Sequence, residues 1–218
     1  MEETAHIIKV ETSRRGTAQE KEADSYVAID LETTGLDPKH DKIIEIGAVL
    51  VIDGEIKETF STFVNPRREL DGRIRELTGI TGEMTAGAPD IGDVIGRVVE
   101  FCRDLPLLGH HIIFDYSFLK RAAVNKGLVF EKSGIDTLTL CRRFMPEEEK
   151  KNLENASRYY GIKQTDAHRA LADALTAHLL YRNVKRSHFS SAPEAFRCKP
   201  LVYKVKKEQP ASKKQKEV

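Results

Sequence analysis

The chain has 218 residues and a formal net charge of +1, with 40% apolar and 32% charged residues, as expected for one globular domain with tails. Its most apolar segment, Ile43 to Ile52, is short and contains Glu45, which excludes a transmembrane helix, and the polar N-terminus argues against a signal peptide. Three widely spaced cysteines form neither a disulfide framework nor a zinc site, so we expect a cytoplasmic protein without membrane contacts.

Three strands are predicted in the first part of the chain. Tyr26 to Leu31 has the pattern of a buried strand, and Ile43 to Val51 that of a second one. Asp53-Gly54 is a strong two-residue hairpin signal, and the alternating segment Glu55 to Val64 follows it. These segments predict an antiparallel meander.

Helices dominate the rest of the chain. Apolar residues at helical spacing predict helices at Ile91 to Cys102, Tyr116 to Asn125, Leu153 to Tyr160 and Arg169 to Val184. Pro106 to Leu108 is predicted as a short central strand, whereas Ile135 to Leu140 fits either a strand or a helix. A meander followed by alternating strands and helices predicts an α/β fold with a mixed central sheet flanked by helices.

The charge distribution divides the chain into three parts. Residues 187–218 carry eight Lys or Arg against three Glu, a net charge of +5, whereas residues 1–186 carry 27 basic and 31 acidic residues. We therefore predict a polar extension over residues 1–24, a folded domain over 25–186 and a basic tail over 187–218. A basic tail can contact phosphates, but the composition favours a solvated, flexible segment.

Two carboxylates lie close together at the end of the first strand. Asp30 and Glu32 are two residues apart, so the alternation of a strand places both side chains on the same side of the sheet. Such carboxylates repel one another unless a cation separates them, which makes the pair a candidate metal site. Acidic pairs at strand ends are more commonly solvated. The following Thr33-Thr34-Gly35 strengthens the metal-site interpretation, because glycine lets the backbone approach a ligand closely.

Two further segments contain residues suited to catalysis. Asp115 lies at a predicted helix start, where aspartate commonly serves as the cap. For the nearby His110 and His111 we favour structural or substrate-contacting roles, since Mg²⁺ and Mn²⁺ prefer oxygen ligands. His168 and Asp173 are five residues apart and would not share a face of one helix. We expect His168 in the loop before the helix and Asp173 on its inward side.

Together, the three segments have the chemistry of a nuclease. Carboxylates that hold two divalent cations stabilise both the entering and the leaving oxygen when water attacks a phosphodiester. A nearby histidine accepts the proton of the water near neutral pH.

The chain resembles the DnaQ-like, DEDDh-type 3′–5′ exonucleases, a group that includes the proofreading exonucleases of bacterial replicases. The resemblance runs from about Tyr26 to Tyr181, and its three motifs are Ile29 to Leu36, Gly109 to Leu119 and His168 to Ala174. It implies a ribonuclease H-like three-layer fold and makes residues 25–186 the exonuclease domain. It also implies two divalent cations, Mg²⁺ or Mn²⁺, and His168 as the general base. The implied metal-site acids are Asp30, Glu32, Asp115 and Asp173.

Shorter segments agree with this resemblance. Leu77 to Thr81 resembles a Thr-Gly-Ile segment between the first two motifs, and Lys151 to Leu153 and Tyr160 to Ile162 resemble the helix before the third. One departure is His111, where many relatives carry asparagine, a difference expected to alter substrate contacts.

The predicted activity is stepwise hydrolysis of DNA from single-stranded or frayed 3′ ends, releasing nucleoside 5′-monophosphates in proofreading or repair. Thr33, Thr34 and Gly35 are expected to fix the terminal nucleotide. Leu36, His111 and Phe114 are candidate contacts to the substrate, the apolar two through packing on bases. Because 218 residues hold no polymerase domain, proofreading would require a separate polymerase chain.

Two alternatives stay open. An exoribonuclease would use the same metal chemistry, and it would differ in its contact to the 2′-hydroxyl, which the motifs do not reveal. The second is a nucleic-acid-binding or polymerase-docking module without catalysis, against which the intact set of five residues argues.

Overall fold

The computed structural model describes residues 24–164 and 167–205. Its strands are β1 Tyr26–Thr33, β2 Ile43–Ile52, β3 Glu55–Phe63, β4 Leu107–Gly109, β5 Ser133–Asp136 and β6 Lys199–Pro200. Its α-helices are α1 Gly72–Thr78, α2 Gly82–Ala86, α3 Ile91–Cys102, α4 Ile113–Asn125, α5 Thr137–Phe144, α6 Leu153–Tyr159 and α7 Ala170–His188. The strands form one sheet in the order β3-β2-β1-β4-β5-β6.

The first three strands form the predicted antiparallel meander. β2 pairs with β1 on one side and β3 on the other, and Asp53 and Gly54 turn the second hairpin with φ of 51° and 78°. Both residues have the positive φ that a tight two-residue turn requires. β1 extends to Thr33, two residues beyond its predicted end, so Asp30 and Glu32 both lie within the strand.

The rest of the sheet is of mixed direction, as predicted. β4 runs parallel to β1 and β5 runs parallel to β4, while β6 is antiparallel to β5. The ambiguous segment Ile135 to Leu140 contains both structures: β5 ends at Asp136, and α5 begins at Thr137. The change occurs there because the Asp136 carboxylate accepts a hydrogen bond from the backbone N–H of Leu138 at 3.0 Å and caps the helix.

The sheet separates two layers of helices. Alternate residues of β1 face opposite layers: Val27 and Ile29 pack in a core with α3 and α4, whereas Tyr26 and Ala28 pack in a core with α5, α6 and α7. By this alternation Asp30 and Glu32 lie on the α7 side of the sheet. The architecture therefore has three layers, and the two acids of the first motif face the helix that carries Asp173.

Helix α7 lies very close to the sheet at its N-terminal end. A Cβ atom on Gly47 of β2 would overlap the backbone of Ala170 and Leu171. Only glycine leaves room for this approach. The missing side chain therefore sets the distance between the first turn of α7 and the strand.

The C-terminal boundary predicted at residue 187 is wrong for residues 187–205. Phe196 is fully buried, Cys198 is 3% exposed, and β6 adds a strand to the sheet by pairing Lys199 with Gly134. The prediction followed the high content of basic residues, but the apolar side chains among them decide the packing. Residues 206–218, with most of the lysines of the predicted tail, and residues 1–23 of the predicted N-terminal extension lie outside the described residues.

The sequence interpretation missed the short helices α1 and α2. They have seven and five residues, too few to show a helical period, and their signals are the capping residues Asp71 and Thr81. The segment Leu77 to Thr81 is the junction between them, and its Ile80 is fully buried. Across residues 24–164 and 167–205, no helix has the length and apolar character needed to cross a bilayer.

Replacing Gly47 with alanine should push α7 away from β2 because the new Cβ has no space. We expect a loss of about 1–3 kcal/mol in the free energy of unfolding, measured by urea denaturation. The matched control is Gly96→Ala on α3, where a Cβ meets nothing within 4 Å. That variant should gain about 0.5–1 kcal/mol from its helical position. Equal effects of the two substitutions would contradict the close-approach interpretation.

Candidate active site

The first two predicted acids lie on β1 where it faces α7. Asp30 and Glu32 are both half-buried, and Glu32 lies directly across from Glu45 of β2. Three carboxylates therefore occupy neighbouring positions on two paired strands. Such a concentration of negative charge is unfavourable without positive charge nearby.

Asp115 approaches this position from the other helix layer. Its carboxylate accepts a hydrogen bond from the backbone N–H of Leu31 at 3.0 Å, and the side chain is 3% exposed. The capping alternative is not what the structure contains: α4 begins at Ile113, so Asp115 lies in its first turn and is not its cap. The contact places Asp115 between the backbone positions of Asp30 and Glu32.

His168 and Asp173 have the arrangement expected from their spacing. His168 is exposed and precedes α7 with a φ of 63°, whereas Asp173 lies in the first turn of α7 and is 7% exposed. The backbone N–H of His168 donates to Asp173 Oδ2 at 3.1 Å, and Gln164 Nε2 donates to Asp173 Oδ1 at 2.6 Å. Two donors thus fix the orientation of the Asp173 carboxylate.

The predicted site residues come together in space. One ligand atom each from Glu32, His168 and Asp173 lie within 4.8 Å of one another. Burial raises the pKa of Asp30, and Asp115, Asp173 and Glu32 lie close enough to it for their negative charges to raise this pKa further. We call the four acids Asp30, Glu32, Asp115 and Asp173 the carboxylate cluster. Its oxygen donors are those that hard divalent cations prefer, so the residues fit a metal centre.

The electrostatics of the carboxylate cluster point the same way. Burial, followed by the charges of neighbouring acids, raises the pKa of Asp30 well above its usual range and that of Glu32 to about 7. Burial also raises the pKa of Asp115 and of Asp173. Each shift records the free energy of holding a negative charge here, and a bound cation would offset it.

Glu45 is a residue of this region that the sequence interpretation missed. It is 1% exposed; Arg169 donates to its Oε1 from Nη2 at 2.9 Å and from Nε at 3.2 Å, and the backbone N–H of Ala170 donates to Oε2 at 3.2 Å. Its carboxylate therefore caps α7 from a neighbouring strand, since Arg169, in the N-cap position, provides no side-chain cap. The available signal was a lone acid inside the apolar segment Ile43 to Ile52.

The loop after β1 is held by its own side chains. Thr33 donates from its hydroxyl to the Gly35 carbonyl at 2.7 Å. The Thr34 hydroxyl accepts from the Lys42 backbone N–H at 3.0 Å and from Arg68. A Cβ on Gly35 would overlap the Asp41 side chain, so a larger residue would disturb the loop. The hydroxyls of this segment thus already have partners within the chain.

The remaining predicted contact residues differ in exposure. Leu36 is 83% exposed, while Phe114 is half-buried and packs on Phe118 with ring centroids 5.0 Å apart. His111 is exposed at a φ of 74°, and its backbone N–H donates to Asp136 at 2.7 Å. Histidine is one of the residues enriched at such positive φ.

His110 has a structural position. Its Nε2 donates to the Lys151 carbonyl at 2.7 Å, and its Nδ1 lies 3.0 Å from the Thr137 hydroxyl. Burial lowers the pKa of the imidazole, which keeps it neutral. The side chain therefore joins β4 to α5 and to the segment before α6, in line with the structural role favoured from the sequence.

A profile of the exonuclease family RNase_T matches residues 27–181. The chain belongs to this exonuclease family. The match spans the strands and helices that carry the carboxylate cluster, and it confirms both the predicted resemblance to DnaQ-like exonucleases and the ribonuclease H-like fold.

Two curated relatives of this chain are named as bacterial DNA polymerases. The DNA polymerase III PolC-type of Bacillus subtilis is 43% identical over 168 residues, and that of Clostridium perfringens is 40% identical over 164 residues. Each match covers 75% of this chain but 12% and 11% of the respective relative. The chain therefore spans roughly a tenth of the length of the curated relatives it matches.

A solved structure of similar size also matches this chain. Exonuclease X in complex with 5′ overhanging duplex DNA has 26% sequence identity and a TM-score of 0.60. The match covers 78% of this chain and 96% of Exonuclease X. The domain described here thus corresponds to nearly the whole of that protein.

The raised pKa of Glu32 predicts how stability depends on pH. Its folded pKa of about 7 exceeds the ordinary 4.5, so between these values the folded state holds more protons and stability falls as pH rises. Buried His178, whose pKa is lowered to about 4, acts in the opposite direction. We therefore compare wild type with Glu32→Gln by thermal unfolding in EDTA. Wild type should lose on the order of 1–3 kcal/mol relative to the variant between pH 5 and 7.5; parallel profiles would contradict the assignment.

Replacing Glu45 with glutamine should loosen the start of α7. We expect a loss of about 1–3 kcal/mol in the free energy of unfolding, because Arg169 loses its buried counter-charge. Affinity for Mn²⁺, measured by titration calorimetry, should also fall as Asp173 moves relative to Glu32. The control Glu194→Gln removes the partner of Arg143 from an ion pair in which both side chains are about half exposed. It should lower the free energy of unfolding by less than about 1 kcal/mol. Unchanged Mn²⁺ affinity in Glu45→Gln would show that Glu45 serves only stability.

Proposed function

We propose that this chain is a metal-dependent 3′–5′ exonuclease that hydrolyses DNA and releases nucleoside 5′-monophosphates. The observation that carries the proposal is the convergence of the carboxylate cluster with His168 at the junction of β1, α4 and α7. Membership of the exonuclease family supports hydrolysis of a phosphodiester. Relatives named as DNA polymerases and a structural neighbour bound to duplex DNA support DNA as the substrate.

The carboxylate cluster would hold two divalent cations, Mg²⁺ or Mn²⁺. When bound, the pair would supply stabilisation of the entering and leaving oxygens. The chain contributes fixed positions: Leu31 orients Asp115, while Gln164 and His168 orient Asp173 through hydrogen bonds. Because the acids hold protons more tightly than free carboxylic acids, cation binding should release protons and strengthen as pH rises.

His168 would serve as the general base. Its imidazole is exposed next to the carboxylate cluster, so it can meet a water molecule and accept its proton. The backbone N–H of His168 donates to Asp173, which fixes the backbone of this residue in the loop before α7. The imidazole is exposed and can therefore reach the substrate.

The loop after β1 would receive the terminal nucleotide. Gly35 has no side chain, which leaves room for the Asp41 carboxylate that lies against it. The Thr33 and Thr34 hydroxyls hold the loop in shape through hydrogen bonds within the chain, so the loop would contact the nucleotide mainly through its backbone. Leu36, exposed beyond this loop, would pack on a base. Phe114 and His111, both at the start of α4, would contact the nucleotide from the opposite side.

A biological role in proofreading or repair would follow from this activity. The curated relatives are named as DNA polymerases and are about ten times longer than the matched segment, which supports a role in which this domain acts together with a polymerase. Exoribonuclease activity is the competing proposal, because the carboxylate cluster contains nothing that distinguishes DNA from RNA.

The proposed activity is tested with end-labelled single- and double-stranded DNA and RNA of matched sequence, with and without Mn²⁺. We expect stepwise loss of 3′ nucleotides from DNA, faster on single-stranded or frayed ends, and none in EDTA. Asp30→Asn should abolish cleavage. Faster cleavage of RNA would favour the exoribonuclease, and binding without cleavage under any metal would favour the non-catalytic module.

The role of His168 is tested by His168→Gln. If His168 is the general base, this substitution should lower kcat by about 10²–10⁴-fold at pH 7 and leave the affinity for Mn²⁺ unchanged. A metal ligand would behave differently, since Mn²⁺ affinity would then fall together with kcat. Full turnover in the variant would refute both roles. His188→Gln, at the far end of α7, is the matched control and should keep full activity.

A further inference from the structure

A groove lies between the loop after β1 and helix α4. Its volume is about 520 Å³, and its walls include Pro38, Lys39 and Lys42 from the loop and Phe118 and Arg121 from the helix. None of these residues belongs to the carboxylate cluster or to the predicted substrate contacts.

The loop wall of the groove continues directly from the carboxylate cluster. The backbone N–H of Thr34 donates to the Lys42 carbonyl at 2.8 Å, and the backbone N–H of Lys42 donates to the Thr34 hydroxyl at 3.0 Å. Thr34 is two residues after Glu32, a span of about 7 Å in extended chain. Lys42 is therefore fixed about that far from the first motif.

The helical wall starts from the same place. Phe118 follows Asp115 by three residues on α4 and so lies on a neighbouring part of the same face. Arg121 is six residues beyond Asp115, about 9 Å along the helix axis. Each wall thus belongs to a segment that also carries a member of the carboxylate cluster, Glu32 before the loop and Asp115 on the helix.

The charge of the groove is positive. Three cationic side chains line it with one acid, Asp41, and that acid is paired with Arg68 at 2.7 Å. The Nε of Arg121 is buried and has no hydrogen-bond partner among the described residues. By contrast, residues 1–186 carry an excess of acidic residues. The groove is therefore a cationic surface next to a cluster of acids.

We propose that this groove binds the phosphates of the nucleic-acid strand upstream of its 3′-terminal nucleotide. The proposal rests on the proposed nuclease function and adds the path of the substrate. Lys42 is paired with Thr34, about 7 Å in extended chain from Glu32, and Arg121 lies about 9 Å along the axis of α4 from Asp115. These separations match those of the first few phosphates beyond the scissile one. The apolar surface of Phe118 and Pro38 between the cations suits the sugars of the strand.

The first test measures binding without cleavage. The Kd of a fluorescent single-stranded oligothymidylate is determined by anisotropy in EDTA at several salt concentrations. Lys42→Gln and Arg121→Gln should each weaken binding several-fold and lower the slope of log Kd against log salt by about one. Arg186→Gln, exposed on α7 thirteen residues beyond Asp173, is the matched control and should change neither value.

The second test separates the groove from the carboxylate cluster. The p-nitrophenyl ester of thymidine 5′-monophosphate carries p-nitrophenol in place of the upstream strand, so it cannot reach the groove. The two groove variants should hydrolyse this ester at the wild-type rate with Mn²⁺, while their KM for an oligonucleotide rises several-fold and kcat stays unchanged.

The outcomes distinguish the two proposals. Wild-type salt slope and affinity in both groove variants would overturn the groove proposal, whatever the nuclease activity. Loss of ester hydrolysis in the variants would also overturn it, because the residues would then act at the cleavage site. Oligonucleotide binding through the groove without any cleavage by wild type would uphold the groove and refute the proposed nuclease. Thermal unfolding of each variant confirms that it is folded.

Discussion

Mutual repulsion among the four acids of the carboxylate cluster is the constraint on which the rest of this structure depends. Burial and neighbouring negative charges raise the pKa of each of them, so the fold must supply the free energy that holds them together. That free energy comes from the two apolar cores on either side of the sheet. The same repulsion gives the site its use, because a pocket of oxygen donors with unneutralised charge binds divalent cations.

The packing of α7 on β2 determines where Asp173 lies relative to the acids of β1. Gly47 allows the helix to approach the strand, and the Glu45 carboxylate holds both Arg169 and the first backbone N–H of the helix. Asp173 lies one turn further on and so faces Glu32 at a distance set by these contacts. On the other side of the sheet, one hydrogen bond from Leu31 places Asp115. A packing change as small as one methyl group at Gly47 would therefore change the positions of the acids of the carboxylate cluster.

The carboxylate cluster and the groove beside it carry opposite charges. The acids attract cations, while Lys42 and Arg121 in the adjoining groove attract the phosphates that such cations would act on. Opposite charges side by side let one short surface bind a polyanion without placing phosphates against bare carboxylates. The loop after β1 belongs to both regions, since Thr34 follows Glu32 and is paired with Lys42. The shape of this loop therefore determines where a strand bound in the groove would lie relative to the carboxylate cluster.

The sequence by itself determined the meander, the principal helices and the family, because these depend on local periodicity and on short motifs, and the same motifs predict the five site residues. It also gave the exposed position of His168 and the inward position of Asp173, which follow from the geometry of one helix. Only the tertiary structure decided the role of Glu45, whose partners lie more than 120 residues away in the chain. The same holds for the C-terminal segment up to residue 205, where a basic composition concealed Phe196 and a sixth strand. Charge content describes a segment on average, whereas burial depends on which surface a few apolar side chains meet.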